Sequence, residues 1–131
     1  MKLFPATERR EEAGDPKNFT GSVTVSRINE VCDEPLVNLY RVVFQPRART
    51  AWHIHTGPQL LLVLAGCCRL QKKGEPFQEI CAGGTVLFLP GEKHWHGAAP
   101  SEKMIHIALN INVGTKWLEK VTENQYEGKV K

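Results

Sequence analysis

Histidines carry most of the chemistry this chain could perform. His53 and His55 flank one isoleucine in His53-Ile54-His55-Thr56-Gly57-Pro58-Gln59, His94-Trp95-His96 follows about 40 residues later, and His106 is the fifth. On a strand, residues two apart share a face, about 7 Å apart at a rise of about 3.3 Å per residue. Imidazoles so placed can grip a divalent ion at about 2.1 Å from each nitrogen. His53, His55 and His94 are therefore candidate metal ligands, with Gln59 completing a set of four. Its alternative role is an amide bonded to a metal-bound water. Four protein ligands leave positions open, which suits chemistry better than a structural clip.

His96 and His106 fall outside that set. An imidazole near a cation stays neutral, the state a general base requires, so both are candidate catalytic residues. The alternative is that each orients a ligand or a neighbour. In Lys103–Val113 the alternation puts Ile105, Ile107, Leu109 and Ile111 on one face and His106, Ala108 and Asn110 on the other. That pattern predicts a strand between a packed core and a pocket, where Asn110 could position a polar group of a substrate. A hairpin of Lys93–Gly97 with this strand would set His96 opposite His106. Trp52 and Trp95 lie on faces opposite their flanking histidines and read as packing residues. Leu60, Leu62 and Leu64 read as packing beneath the site. Thr50 has the wrong parity for the pocket unless its strand bulges.

Short β runs punctuated by turn residues position these side chains. Strands are expected at 21–28, 36–45, 50–55, 59–65, 67–72, 77–81, 85–89, 93–97 and 103–113, separated by turns such as Lys73-Gly74-Glu75-Pro76 and Pro90-Gly91-Glu92. Only Lys116–Thr122, with Trp117, Leu118 and Val121, has helical spacing. The reading is an all-β sandwich or barrel with a short C-terminal helix. Residues 1–17 form a polar N-terminal arm, and 18–131 a single domain.

Composition narrows the function classes. The chain has 131 residues, 41% of them hydrophobic and 24% charged, which suits one soluble domain. A net charge of +3, with its basic residues dispersed, gives no footprint for nucleic acid. The opening MKLFPATERREEAGD has no apolar segment of signal-peptide type, and no run is long enough to span a membrane, so a cytoplasmic location is expected. Cys32, Cys67, Cys68 and Cys81 show no C-x-x-C spacing, and reduced thiols are expected.

The two histidine segments resemble the cupins, whose fold is a jelly-roll barrel, the double-stranded β-helix. The first cupin motif, G-x5-H-x-H-x3-E-x6-G, falls on Arg47, His53, His55, Gln59 and Gly66, with Arg47 replacing the leading glycine and Gln59 the acid. The second, G-x5-P-x-G-x2-H-x3-N, falls on Gly83, Leu89, Gly91, His94 and Ala98, with Leu89 and Ala98 departing from it. Ala48-Arg49-Thr50-Ala51-Trp52-His53, Pro90–Pro100 and the tail Val121–Tyr126 resemble more closely the small bacterial cupins related to manganese-dependent (R)-hydroxynitrile lyases and carboxymuconolactone-decarboxylase-like cupins. The resemblance implies one divalent ion per chain, Mn²⁺ first and Fe²⁺, Ni²⁺ or Zn²⁺ as alternatives. In that subgroup a glutamine is the fourth ligand, so Gln59 matches.

The resemblance further implies a small-molecule substrate, a homodimer, and hydroxynitrile-lyase-like C–C cleavage with metal and histidine as Lewis acid and base. A cupin dioxygenase of a small organic acid or thiol, and a non-catalytic small-ligand-binding module, are the alternatives. The pocket departs from the subgroup at Tyr40, where a small residue is expected. Tyr40 shares its face with Val42, and an inward Tyr40 would narrow the cavity.

Overall fold

Alternating apolar residues and frequent turn formers fold the chain almost wholly into antiparallel strands. The computed structural model describes the backbone of residues 1–131 and every side chain except those of Glu8 and Asn29. The strands are β1 (Glu11–Ala13), β2 (Phe19–Thr20), β3 (Val23–Asp33), β4 (Leu36–Phe44), β5 (Arg49–Thr50), β6 (His53–His55) and β7 (Gln59–Ala65). They continue with β8 (Cys67–Lys72), β9 (Gln78–Cys81), β10 (Thr85–Phe88), β11 (His94–Ala98), β12 (Met104–Ile111) and β13 (Thr115–Trp117). One sheet runs β1-β3-β4-β12-β7-β10, and the other runs β13-β6-β11-β5-β2 with β8 and β9 attached through β11. The two sheets form the expected jelly-roll barrel. Glu11–Ala13 of the N-terminal arm pairs with β3 as an edge strand.

Apolar clusters surround the site, among them a small one of Leu61, Phe88 and Ala108. Val23, Val25, Val42, Phe44, Val63 and Met104 fill one part of the interior. Trp52, Trp95, Val121 and Tyr126 form a second, on the other side of the histidine strands. Both tryptophans are thus packing residues. Their indole N–H groups are satisfied by Gln125 and Gln71 respectively.

Several expectations change. The strand expected over 50–55 is broken at Ala51-Trp52, which leaves β5 and β6 as separate pieces. The break resets the alternation, so Thr50 reaches the cavity together with His53 and His55. Lys116–Thr122 is not helical. Trp117 ends β13, and the only α-helix among the described residues, α1 (Glu123–Tyr126), starts one residue beyond that span. Thr122 caps it in a reciprocal box with Gln125, a local hydrogen-bond signal that outweighs the apolar spacing before it.

β11 and β12 do not form a hairpin. β11 pairs with β5, β6 and β8, whereas β12 lies between β4 and β7 in the other sheet. His96 and His106 still meet, across the barrel interior. The aliphatic face of β12 is the outer one, because Met104, His106, Ala108 and Asn110 are the buried residues. Leu62 and Leu64 likewise point out, at 42% and 52% exposure, while Leu61 and Val63 point in. The expectation that Leu60, Leu62 and Leu64 pack beneath the site is therefore wrong.

Cys67 and Cys81 are disulfide-bonded, against the expectation of reduced thiols. The β8–β9 register sets them directly opposite each other, a relationship that sequence spacing does not reveal. Cys32 and Cys68 are free thiols, one exposed and one buried. No helix among the described residues is long and apolar enough to cross a membrane.

Candidate metal centre

Strand register brings the histidines together. His53 on β6 pairs directly with His94 on β11, and their ring centres stand 4.3 Å apart. His55 follows on the same face, with its ring 4.8 Å from that of His53 and 5.2 Å from that of His94. One nitrogen each of His53, His94 and His96 forms a group within 4.8 Å, all three buried. Gln59, at the start of β7 in the facing sheet, reaches across, and its Oε1 lies 3.0 Å from His55 Nε2.

The ring nitrogens facing away from this point are engaged. His53 Nδ1 donates to the Ala51 carbonyl at 2.9 Å, and His94 Nδ1 to the Glu92 carbonyl at 2.8 Å. A carbonyl only accepts, so both Nδ1 atoms carry the proton and both Nε2 atoms keep a lone pair. His55 Nδ1 bonds the Thr115 hydroxyl at 3.0 Å, a partner that serves either tautomer. Phe88 stacks on His94 at 3.7 Å and fixes its ring plane.

These residues fit a divalent cation. His94 Nε2 is buried with no hydrogen-bond partner among the described residues, a costly state for a polar atom unless something else binds it. The His55 Nε2–Gln59 Oε1 separation of 3.0 Å is also what adjacent ligands at right angles adopt, each about 2.1 Å from an ion. The tightest three-histidine group contains His96 rather than His55. Two differences separate those residues. His55 Nε2 sits beside a second donor oxygen, whereas His96 Nδ1 faces His106 Nε2 at 3.2 Å, a partner that can itself take or give a proton.

Burial sets the electrostatics. It lowers the pKa of every imidazole here: His94 and His106 to about 4, His53 and His96 well below the usual histidine range, and His55 in the same direction. The neighbouring charge of His94 adds to the effect at His53, and that of His106 at His96. All five rings are neutral at pH 7, the state that ligation and base catalysis both need.

The site opens into a cavity of about 360 Å³. Tyr40, Val42 and Asn110 all line it, as do His96 and His106. Tyr40 is half buried, and burial raises its phenol pKa. Asn110 accepts from Gln59 Nε2 at 2.8 Å, which makes it a neighbour of the candidate ligand set. Sequence reasoning left out Thr50 on its strand parity and missed Thr115 and Trp117. Thr50 accepts from the His96 backbone N–H, and the Trp117 ring lies 4.7 Å from that of His53. Only the broken strand and the pairing of β13 with β6 bring them in, and neither is visible in periodicity.

Against known proteins, the chain is 46% identical over 111 residues, 82% of its length and 85% of the relative's, to the (R)-mandelonitrile lyase of Granulicella tundricola. The chain belongs to that lyase's family, the small single-domain cupins. Among solved structures, this cupin matches a cupin-like protein of Thermotoga maritima with a TM-score of 0.85 and 36% identity, over 97% of this chain and 96% of that one. The polyketide cyclase RemF of Streptomyces resistomycificus shares the fold at a TM-score of 0.73 and 19% identity, over 97% and 91% of the two chains. No family model matches the chain.

Proposed function

We propose that this cupin is a metal-dependent lyase that cleaves cyanohydrins in the manner of a hydroxynitrile lyase. The observation that carries the reading is the presence of two imidazole systems side by side at one cavity. His53, His55 and His94, with Gln59, form a ligand set whose outer nitrogens are already engaged. His96 and His106 are hydrogen-bonded to each other beside that set, and we assign this pair to proton work. The relative named as an (R)-mandelonitrile lyase supports the same reaction class.

A bound divalent ion, Mn²⁺ by preference, would supply Lewis-acid polarisation that a neutral glutamine ligand leaves undiminished. The chain's own residues do the rest. Tyr40, Val42 and Phe44 shape a largely apolar wall that excludes water from the substrate. The His96–His106 pair takes the hydroxyl proton of the cyanohydrin. The O–H electron pair becomes the carbonyl π bond, the C–C bond to the nitrile breaks, and cyanide leaves with that bond's electrons. The protonated pair then returns its proton to cyanide, so the products are an aldehyde and HCN.

The test is release of HCN and benzaldehyde from (R)-mandelonitrile by Mn²⁺-loaded protein at slightly acidic pH. Activity that disappears in His106→Ala while metal content stays unchanged is the expected result. No release at full metal occupancy would overturn the proposal.

A further inference from the structure

Gln59 differs from the histidines around it in one respect: its side chain is chemically two-faced. One end of the amide is an acceptor that can bind a cation, and the other is an NH₂ group that cannot. Rotating the amide by half a turn exchanges them with almost no change in shape. Gln59 is buried, at 5% exposure, so its NH₂ group needs an acceptor inside the barrel. Asn110 supplies it: Gln59 Nε2 donates to Asn110 Oδ1 at 2.8 Å. The two side chains come from directly paired positions on β7 and β12, and Asn110 is itself buried, at 6% exposure.

We infer that Asn110 is a positioning residue for the metal centre: by accepting the Gln59 NH₂ group, it holds Oε1 toward the ion. The inference rests on the metal-binding reading above and moves Asn110 from substrate contact to ligand orientation. Its signature follows from symmetry. A carboxylate presents oxygen at both ends, so a glutamate at position 59 needs no such partner. Asn110 should therefore matter beside glutamine and cease to matter beside glutamate.

The experiment measures Mn²⁺ affinity by electron paramagnetic resonance titration, without substrate, on wild type, Asn110→Leu, Gln59→Glu and the double variant. Asn110→Leu is expected to weaken binding about 10–100-fold, the usual effect of losing a partner that orients a ligand. In the Gln59→Glu background the same change is expected to cost less than about 3-fold. Asn110→Asp keeps the acceptor and should bind Mn²⁺ at least as well as wild type, which guards against a Leu variant that fails to fold. Unchanged affinity in a folded Asn110→Leu, or an equal loss in the wild-type and Gln59→Glu backgrounds, would overturn the inference. Failure of wild type to bind Mn²⁺ at all would overturn the metal reading itself, a result readily told apart from these.

Discussion

His106 Nε2 and His96 Nδ1 face each other at 3.2 Å, one from each sheet of the barrel. A single proton bridges the two nitrogens, so the ring that receives it is set by what happens at the other end of the pair. His96 is held from behind by its backbone N–H donating to Thr50 Oγ1 at 3.2 Å.

The pair can be separated from the ligands by experiment. Replacing His106 with alanine should lower kcat for cyanohydrin cleavage by about 10²–10⁴-fold, the usual contribution of a general base. Metal content, read by elemental analysis, should stay at wild-type level. His94→Ala should lose both metal and activity. Equal metal loss in the two variants would place His106 among the ligands.

Acid should destabilise the metal-free protein well above the range where carboxylates titrate. His106 is held neutral down to about pH 4 in the fold, chiefly by burial, whereas an unfolded histidine protonates near 6.5. The unfolded state therefore binds more protons between those values. The stability His106 contributes is complete above about pH 6.5 and is lost as pH falls toward 4, on the order of 3 kcal/mol. Urea melts from pH 7 to pH 4.5 should show the decline, and a His106→Phe variant should show a shallower one.

The tail anchors the histidine strand through Tyr126, whose hydroxyl donates to the Ala98 carbonyl at 2.6 Å. Its ring lies under three guanidinium groups, with Arg47, Arg49 and Arg69 each 4.7–4.9 Å from its centre. Tyr126→Phe leaves a buried carbonyl unpaired and should cost about 1–2 kcal/mol in thermal or denaturant melts. Arg47→Gly should be nearly neutral. Its ion pairs with Glu123 and Glu127 are exposed and worth little, and the change relieves a backbone φ of 69° that favours glycine.

Thiol accessibility should sort the cysteines cleanly. The native protein should react with an aromatic disulfide reagent at one site, the exposed Cys32. Cys68 is fully buried, and its thiol is pushed up to about 12, so it should react only on unfolding. Reduction before denaturation should raise the total from two thiols to four, the increment coming from Cys67 and Cys81.

The homodimer expected from the resemblance has a testable surface. Leu62, Leu64, Leu87 and Leu89 are all 42–54% exposed, on or beside the outer faces of the neighbouring strands β7 and β10. Leu64→Lys should shift sedimentation from dimer toward monomer without changing metal content. A monomeric wild type would remove the expected dimer, and a variant that stays dimeric would place its interface away from this patch.

Period-two alternation and turn residues act locally and made an all-β sandwich or barrel legible, while the jelly roll and the ligand set came from the resemblance of the two histidine motifs to the cupins. Which strands became neighbours was not legible. The expected hairpin paired β11 with β12, yet the barrel separates them and still brings His96 to His106. The two-residue break after Thr50 was equally hidden, since nothing in Ala51-Trp52 marks a loss of pairing. Arg47 is a further case. It occupies the position of a motif glycine and has a left-handed backbone, φ 69°, a conformation that the residue type did not announce. Asn110 was assigned to the substrate because its face was readable but its partner, on a strand about 50 residues earlier, was not.

The division of the site between the sheets bears on how such a site could change. Four imidazoles belong to one sheet, while Tyr40, Val42 and Asn110 belong to the other, along with Gln59 and His106. Substitutions on β4 can therefore alter the shape of the cavity without touching the strands that carry the four rings. Cavity shape can drift by trial on β4 while four of the five imidazoles are inherited intact on the opposite wall.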